Sequence, residues 1–166
     1  MLSSIPRVRR AAVLCMPALA GALGACSSST PPQGITAVTP FALARYEGRW
    51  YEVARLDHAF ERGMTDVSAT YQGQVDGAVR MINRGFDTGR NDWHQSVGKA
   101  VFTGDAQTAS LKVSFFGPGR NYGWILSRTK LLAPALREQL IARASALGID
   151  TQALIWVAHE RTDPQP

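Results

Sequence analysis

The stretch Tyr46-Glu47-Gly48-Arg49-Trp50-Tyr51-Glu52-Val53-Ala54-Arg55-Leu56-Asp57-His58-Ala59-Phe60-Glu61-Arg62-Gly63 sets the fold expected of the whole chain. Within it, Arg49 to Leu56 is a β-prone run, and such runs recur downstream with turn chemistry between them. Asp66 to Gln72 is the second, followed by Gly73-Gln74-Val75-Asp76-Gly77. Ala78 to Phe86 is the third, followed by Asp87-Thr88-Gly89-Arg90-Asn91-Asp92. Trp93 to Phe102, Ser110 to Phe116 and Tyr122 to Ser127 are the next three. The spacing leaves no room for crossover helices, so neighbouring runs are antiparallel. Alternation assigns the inner face: Val67, Ala69 and Tyr71; Val79, Met81 and Asn83; Leu111, Val113 and Phe115. One helix follows, with Pro134 in its first turn and Gly148 as its stop. Leu136, Leu140, Ala144 and Leu147 form an apolar stripe along it, and Leu154 to Ala158 is a last strand. The expected class is all-β, an up-and-down antiparallel barrel or partly closed sheet.

Composition narrows the function. With 166 residues, 45% hydrophobic and 19% charged, the chain makes one domain with a real core. His58, His94 and His159 lack ligand spacing, so no metal is expected, and no cofactor motif appears. The net charge of +5 is mostly carried by the first segment. Arg7, Arg9 and Arg10 precede the small, apolar run Ala11 to Ala22, the layout of a secretory signal too short to span a bilayer comfortably. Residues 1–25 hold three of the 18 basic side chains and no acid, which leaves 15 basic against 13 acidic. No basic cluster remains, so nucleic acid is not an expected partner. The segment ends in Leu23-Gly24-Ala25-Cys26, which resembles the lipobox of bacterial lipoproteins. That resemblance implies cleavage before Cys26 and lipid attachment to it, with Ser27 permitting transfer to the outer membrane. Acyl chains contribute ~0.8 kcal/mol per buried methylene, so two or three anchor stably. Ser27 to Pro40 carries no charge and is rich in Ser, Thr and Pro; extended at ~3.1 Å per residue it reaches roughly 40 Å. The expected organisation is a signal over 1–25, a lipidated tether over 26–40 and one domain over 41–166.

The quoted stretch resembles the lipocalins, and among them the bacterial outer-membrane lipoproteins. The family signature is Gly-x-Trp opening the first strand, here Gly48 and Trp50. The resemblance continues through Ala69-Thr70-Tyr71, Asn83-Arg84-Gly85, Gly98-Lys99-Ala100, the run Lys112 to Pro118 and the run Trp124 to Thr129. It implies a lipocalin-type barrel in which Arg128, late in the last barrel strand, lies over Trp50 and plugs one end. Such a cation–π contact contributes ~1–2 kcal/mol when desolvated.

One family element is missing. The family places another β-hairpin after the Gly-Pro that closes the fifth run; here Gly117-Pro118-Gly119-Arg120-Asn121 leads straight to Tyr122. About six barrel strands remain. Eight strands give a backbone radius of ~8 Å and six only ~6 Å, and eight is near the minimum that holds a small ligand. Three outcomes are open: a cleft with unpaired edges at the fifth and sixth runs, a narrower barrel filled by side chains, or two copies completing each other as a homodimer. The cleft is expected, because large inner residues would clash in a narrower tube.

By resemblance, the inside binds a fatty acid or lysophospholipid, and the protein stores or transports lipid for envelope maintenance from an outer-membrane anchor. Candidate ligand contacts are Tyr71, Met81, Asn83, Phe115, Trp124 and Leu126. Tyr71 and Asn83 read equally as satisfied core groups, and Met81 and Phe115 as plain core. Arg55, His58 and Arg62 lie near the expected mouth, as head-group contacts or as solvated loop charge. An enzyme is not expected: no thiol survives lipidation, and Glu52, Asp57 and His58 are the only nearby acid–base groups. The rival function is a binding-incompetent lipoprotein acting as a surface interaction module.

Overall fold

The computed structural model describes residues 36–114 and 123–164. The signal, Cys26, most of the tether and Phe115 lie outside the described residues. A one-turn helix, α1 (Leu43–Tyr46), precedes six strands: β1 (Gly48–Arg55), β2 (Met64–Gly73), β3 (Val79–Asp87), β4 (Asp92–Phe102), β5 (Leu111–Ser114) and β6 (Trp124–Ser127). Helix α2 (Pro134–Ala146), a 3₁₀ turn at Thr151–Ala153 and the two-residue β7 (Ile155–Trp156) end the fold. Turn chemistry sets the hairpins. Gly77 has φ +76° while Asp76 accepts from the Ala78 amide, and Asp87 accepts from the amides of Gly89 and Arg90.

The strands form one antiparallel sheet in the order β5-β4-β3-β2-β1-β6, with β7 paired to the end of β1 on the edge opposite β6, past the β1–β2 ladder. It curls into a half-barrel. β5 pairs only with β4 and β6 only with β1 among the described residues, so the wall stays open where the two ends would meet. This is the cleft expected of a sheet without the extra hairpin. Register aligns the inner face: Gly48 opposite Tyr71, Tyr71 opposite Met81, Met81 opposite Gly98; one row on, Trp50, Ala69, Asn83 and Ser96. Ala69, Tyr71, Val79, Met81 and Ala100 are the buried core. Val113 is 44% exposed, on the end strand of the sheet, which pairs only with β4 among the described residues.

One end is closed by aromatic rings. Tyr46 lies 4.6 Å from Tyr71 and 5.3 Å from Trp50, while Phe41 joins Tyr46 to Phe102. The Trp50 indole donates to the Tyr46 carbonyl at 2.7 Å. Arg128 covers this plug with its Cζ 3.9 Å from the Trp50 ring centroid. Its guanidinium also donates to the carbonyls of Arg49 (2.9 Å), Arg45 (2.8 Å) and Glu47 (2.8 Å). Gly48 makes the approach possible: it has φ +89°, and an added Cβ would stand 3.4 Å from Arg128 Nη1.

Two expectations need correction. The stripe on α2 does not face a core: only Ala144 is buried, and Leu136 and Leu147 are 45% and 40% exposed. Arg137 instead stacks on Trp156, 3.7 Å from its ring centroid, which holds the helix at the rim of the sheet. The last strand is shorter than Leu154 to Ala158, because only Ile155 and Trp156 find ladder partners on β1.

Arg128→Ala removes the stacked charge and three charge-assisted hydrogen bonds from an exposed site, and should lower stability in urea unfolding by about 1–3 kcal/mol. Arg128→Lys should recover only part of that, since an ammonium lacks the planar fork that reaches three carbonyls.

Candidate functional site

The inner face of the sheet divides into a packed floor and a polar upper wall. On the floor, Tyr71, Met81 and Leu126 pack with Ala69, Val79 and Ala100. Burial and the neighbouring Tyr46 raise the pKa of the Tyr71 hydroxyl, so it stays protonated. Higher on β3, Asn83 faces Ser96 on β4, with His94 one row further. The Asn83 Oδ1 and His94 Nε2 atoms are buried and accept or donate no hydrogen bond among the described residues. A buried amide oxygen without a donor is costly unless a ligand or water supplies one.

The rim carries a buried charged cluster. Glu52 and Arg55 are 2% and 3% exposed, and Arg55 Nη1 donates to Glu52 Oε1 at 2.8 Å. Arg55 Nη2 reaches the carbonyls of Glu61 (2.8 Å) and Met64 (3.2 Å), pinning the loop after β1 down onto the strand. Glu61 accepts from the Trp124 indole at 3.0 Å, and His58 Nε2 lies 3.1 Å from the same oxygen. Phe60 stacks on His58 with ring centroids 4.1 Å apart. Burial, then the facing Glu61 carboxylate, pushes the Glu52 carboxyl up to about 8 against the pull of Arg55. Burial, opposed by Glu61, lowers the His58 pKa. Near neutral pH the Glu52 carboxyl is therefore mostly protonated and the His58 imidazole neutral.

The candidate contacts are thus spread out. Tyr71, Met81 and Leu126 come together on the floor, Asn83 stands midway up the wall, and Trp124 sits at the rim, 38% exposed. Of the three mouth residues, Arg55 and His58 are buried in the cluster, whereas Arg62 is exposed and paired with Asp57. The solvated-charge reading fits only Arg62. Glu61, Ser96 and His94 were not foreseen. Inward alternation along β4 (His94, Ser96, Gly98, Ala100) would have pointed to two of them. Two cavities of about 300 and 310 Å³ lie outside the hollow, one between the loop after β1 and β7, the other on the convex wall. Among the described residues no three His, Cys, Asp or Glu are placed to hold a metal ion.

Comparison with known proteins agrees with this geometry. Residues 41–119 and 117–159 match the family described as a lipocalin-like domain. The outer membrane lipoprotein Blc of Citrobacter freundii is 44% identical over 155 residues, covering 80% of this chain and 88% of the relative. That of Vibrio cholerae is 36% identical over 171 residues, covering 89% and 96%. Among solved structures, lobster apocrustacyanin A1 superposes with a TM-score of 0.57 at 14% identity, covering 81% of this chain and 96% of that one. The family match falls into two pieces that meet at residues 117–119, where the sequence lacks the family's hairpin. Since 80% of 166 residues is about 133, about 22 of the 155 positions aligned with the Citrobacter protein have no residue here.

The Glu52 carboxyl makes stability depend on pH. Its folded pKa of about 8 lies above its ordinary value of 4.5, so the native state holds a proton that the unfolded chain releases. Stability should fall as pH rises toward 8 and level off above it. Below its ordinary value of 6.5, His58 pulls the other way, because it must stay neutral when buried. Urea unfolding at pH 7.0, 7.5, 8.0 and 8.5 isolates the Glu52 contribution, and Glu52→Gln should flatten that decline.

Proposed function

The chain belongs to the lipocalin family, whose members bind small hydrophobic ligands, and on that footing we propose that its open hollow holds a single-chain lipid. Its place is the outer membrane, held by a lipid anchor, as the names of its relatives say of them. We assign the attachment to Cys26, which follows the lipobox-like residues at the end of the leader. The protein acts as a binder and carrier rather than a catalyst: in the rim cluster, Glu52 and Arg55 are spent on each other and on loop carbonyls.

The observation that carries this reading is the Asn83 Oδ1 atom, buried on the inner wall with no donor. An acyl tail would lie along the apolar face of β2, β3 and β6, with Trp124 flanking it at the rim. The amide oxygen then selects a ligand that brings its own hydrogen-bond donor. A lysophospholipid does so through its glycerol hydroxyl, whereas an ionised fatty acid has no donor to give. The preferred class is therefore a lysophospholipid, supplied and returned at the envelope. The open seam between β5 and β6 lets a tail enter sideways, and pairing of two copies along these edges would enclose it.

Saturable one-to-one uptake of a fluorescent fatty acid, displaced by lysophosphatidylcholine, is expected. Asn83→Leu should weaken lysophosphatidylcholine about 5–10-fold and leave oleate nearly unchanged. Its thermal stability should not drop, because the substitution removes an unsatisfied acceptor. No uptake of any amphiphile by the folded protein would favour the surface-module alternative, and turnover of the lipid would make it an enzyme.

A further inference from the structure

The convex wall carries a cavity of about 310 Å³ that the lipid hollow does not use. It lies over the middle of β1 to β4, on the face opposite Ala69, Tyr71 and Met81. Arg49 and Arg84 stand on its two sides. The hydroxyls of Ser68 and Thr70 and the carboxamides of Gln72 and Gln95 complete its polar lining, and Ile82 supplies one apolar contact. No acid lines it among the described residues. We propose that this cavity is a second binding site, for a phosphate group.

Its chemistry is that of a donor-rich concavity. The Gln72 carboxamide oxygen accepts from Arg80 Nη1 at 3.1 Å, which leaves its amino group as a donor. Asp163 holds Arg84 through Nε at 2.8 and 2.9 Å, and Trp93 lies 5.0 Å beneath the same guanidinium. Arg84 is therefore fixed before any ligand arrives, which reduces the ordering cost of binding. The Arg49 side chain makes no hydrogen bond or ion pair among the described residues, although it is half-buried and its own carbonyl is taken by Arg128. Arg49 and Arg84 sit on β1 and β3, two strands apart and offset along the sheet. Arg49 is level with Ile82, two residues before Arg84, so at ~4.8 Å between strands and ~3.3 Å per residue their Cα atoms stand about 12 Å apart, a span across which two long guanidinium side chains can share one tetrahedral anion. Arg80, Lys99 and Lys112 on the same wall add positive potential; of these, Lys99 is paired with Asp76. A phosphate offers three acceptor oxygens to this set, more than a carboxylate can. The phosphate belongs either to free phosphate in solution or to a lipid headgroup in the membrane surface beside the wall.

The test uses the full chain in dodecyl maltoside micelles, followed by amide NMR at constant ionic strength. In one arm inorganic phosphate is titrated in; in the other the micelles are doped with phosphatidic acid. Saturable shifts of Ser68, Thr70 and Ile82 with phosphate alone, weakened about ten-fold by Arg49→Gln, identify a site for the free anion. The same shifts only with doped micelles, again weakened by Arg49→Gln, identify a headgroup site. Either outcome supports the proposal. Arg49→Lys, which keeps the charge without the fork, should fall between the two and serves if the glutamine variant does not fold. No saturable shift in either arm, or shifts that Arg49→Gln and Gln95→Ala leave unchanged, overturns it. Occupation of the hollow reads out on Asn83 and the Trp124 indole instead, so failure of the lipid reading is seen separately.

Discussion

The stacking of Arg128 on Trp50 is the contact on which the rest of this open sheet depends. A complete barrel has a ladder between every two neighbouring strands. Here β1 and β6 pair, but β5 and β6 do not among the described residues, so the ring of ladders is broken there. The guanidinium takes over part of the task from the end of the cup. It covers the indole at 3.9 Å and ties the end of β6 to carbonyls of α1, β1 and the residue between them, about eighty positions away in sequence. A glycine with positive φ at position 48 is the local condition for this, because the backbone must let the guanidinium come close.

The other end obeys a different constraint. Four ionisable side chains, Glu52, Arg55, His58 and Glu61, are buried at the rim, where isolated charges would cost several kcal/mol each. The cluster resolves this by sharing: one guanidinium bridges a carboxyl and two carbonyls, and one carboxylate accepts from an indole. The remaining acid keeps its proton. Polar groups thus hold the loop after β1 down onto the strand. The two ends use opposite physics: an exposed cation on an aromatic floor, and a buried, mutually hydrogen-bonded set at the rim.

Strand runs, their antiparallel order and the inner faces of β2 and β3 were legible because alternation and turn residues are local signals. The missing hairpin was legible too, as the jump from Pro118 to Tyr122 without a strand between. The rim cluster was not. Glu52 and Arg55 look like ordinary strand-end charges; only the irregular register between Glu52 and Ala54, and the fold-back of the loop bearing Glu61, bring them together. The stripe on α2 misled for the reverse reason. Leu136 and Leu147 have helical spacing but stay largely exposed, and an arginine–tryptophan stack ties the helix to β7 instead.

The N-terminal chain enters the fold through two backbone hydrogen bonds to the β4–β5 connection, Ala109 amide to Val38 carbonyl at 2.9 Å and Phe41 amide to Gln107 carbonyl at 2.7 Å. Phe41 then joins the aromatic floor. Mechanical load arriving along the chain from its N-terminal side meets this clasp first. It would be spent on the base, about eight residues at ~3.3 Å each, or ~26 Å, below the rim. Bending and undulation of the supporting bilayer can therefore strain the foot of the cup while its lip keeps its shape.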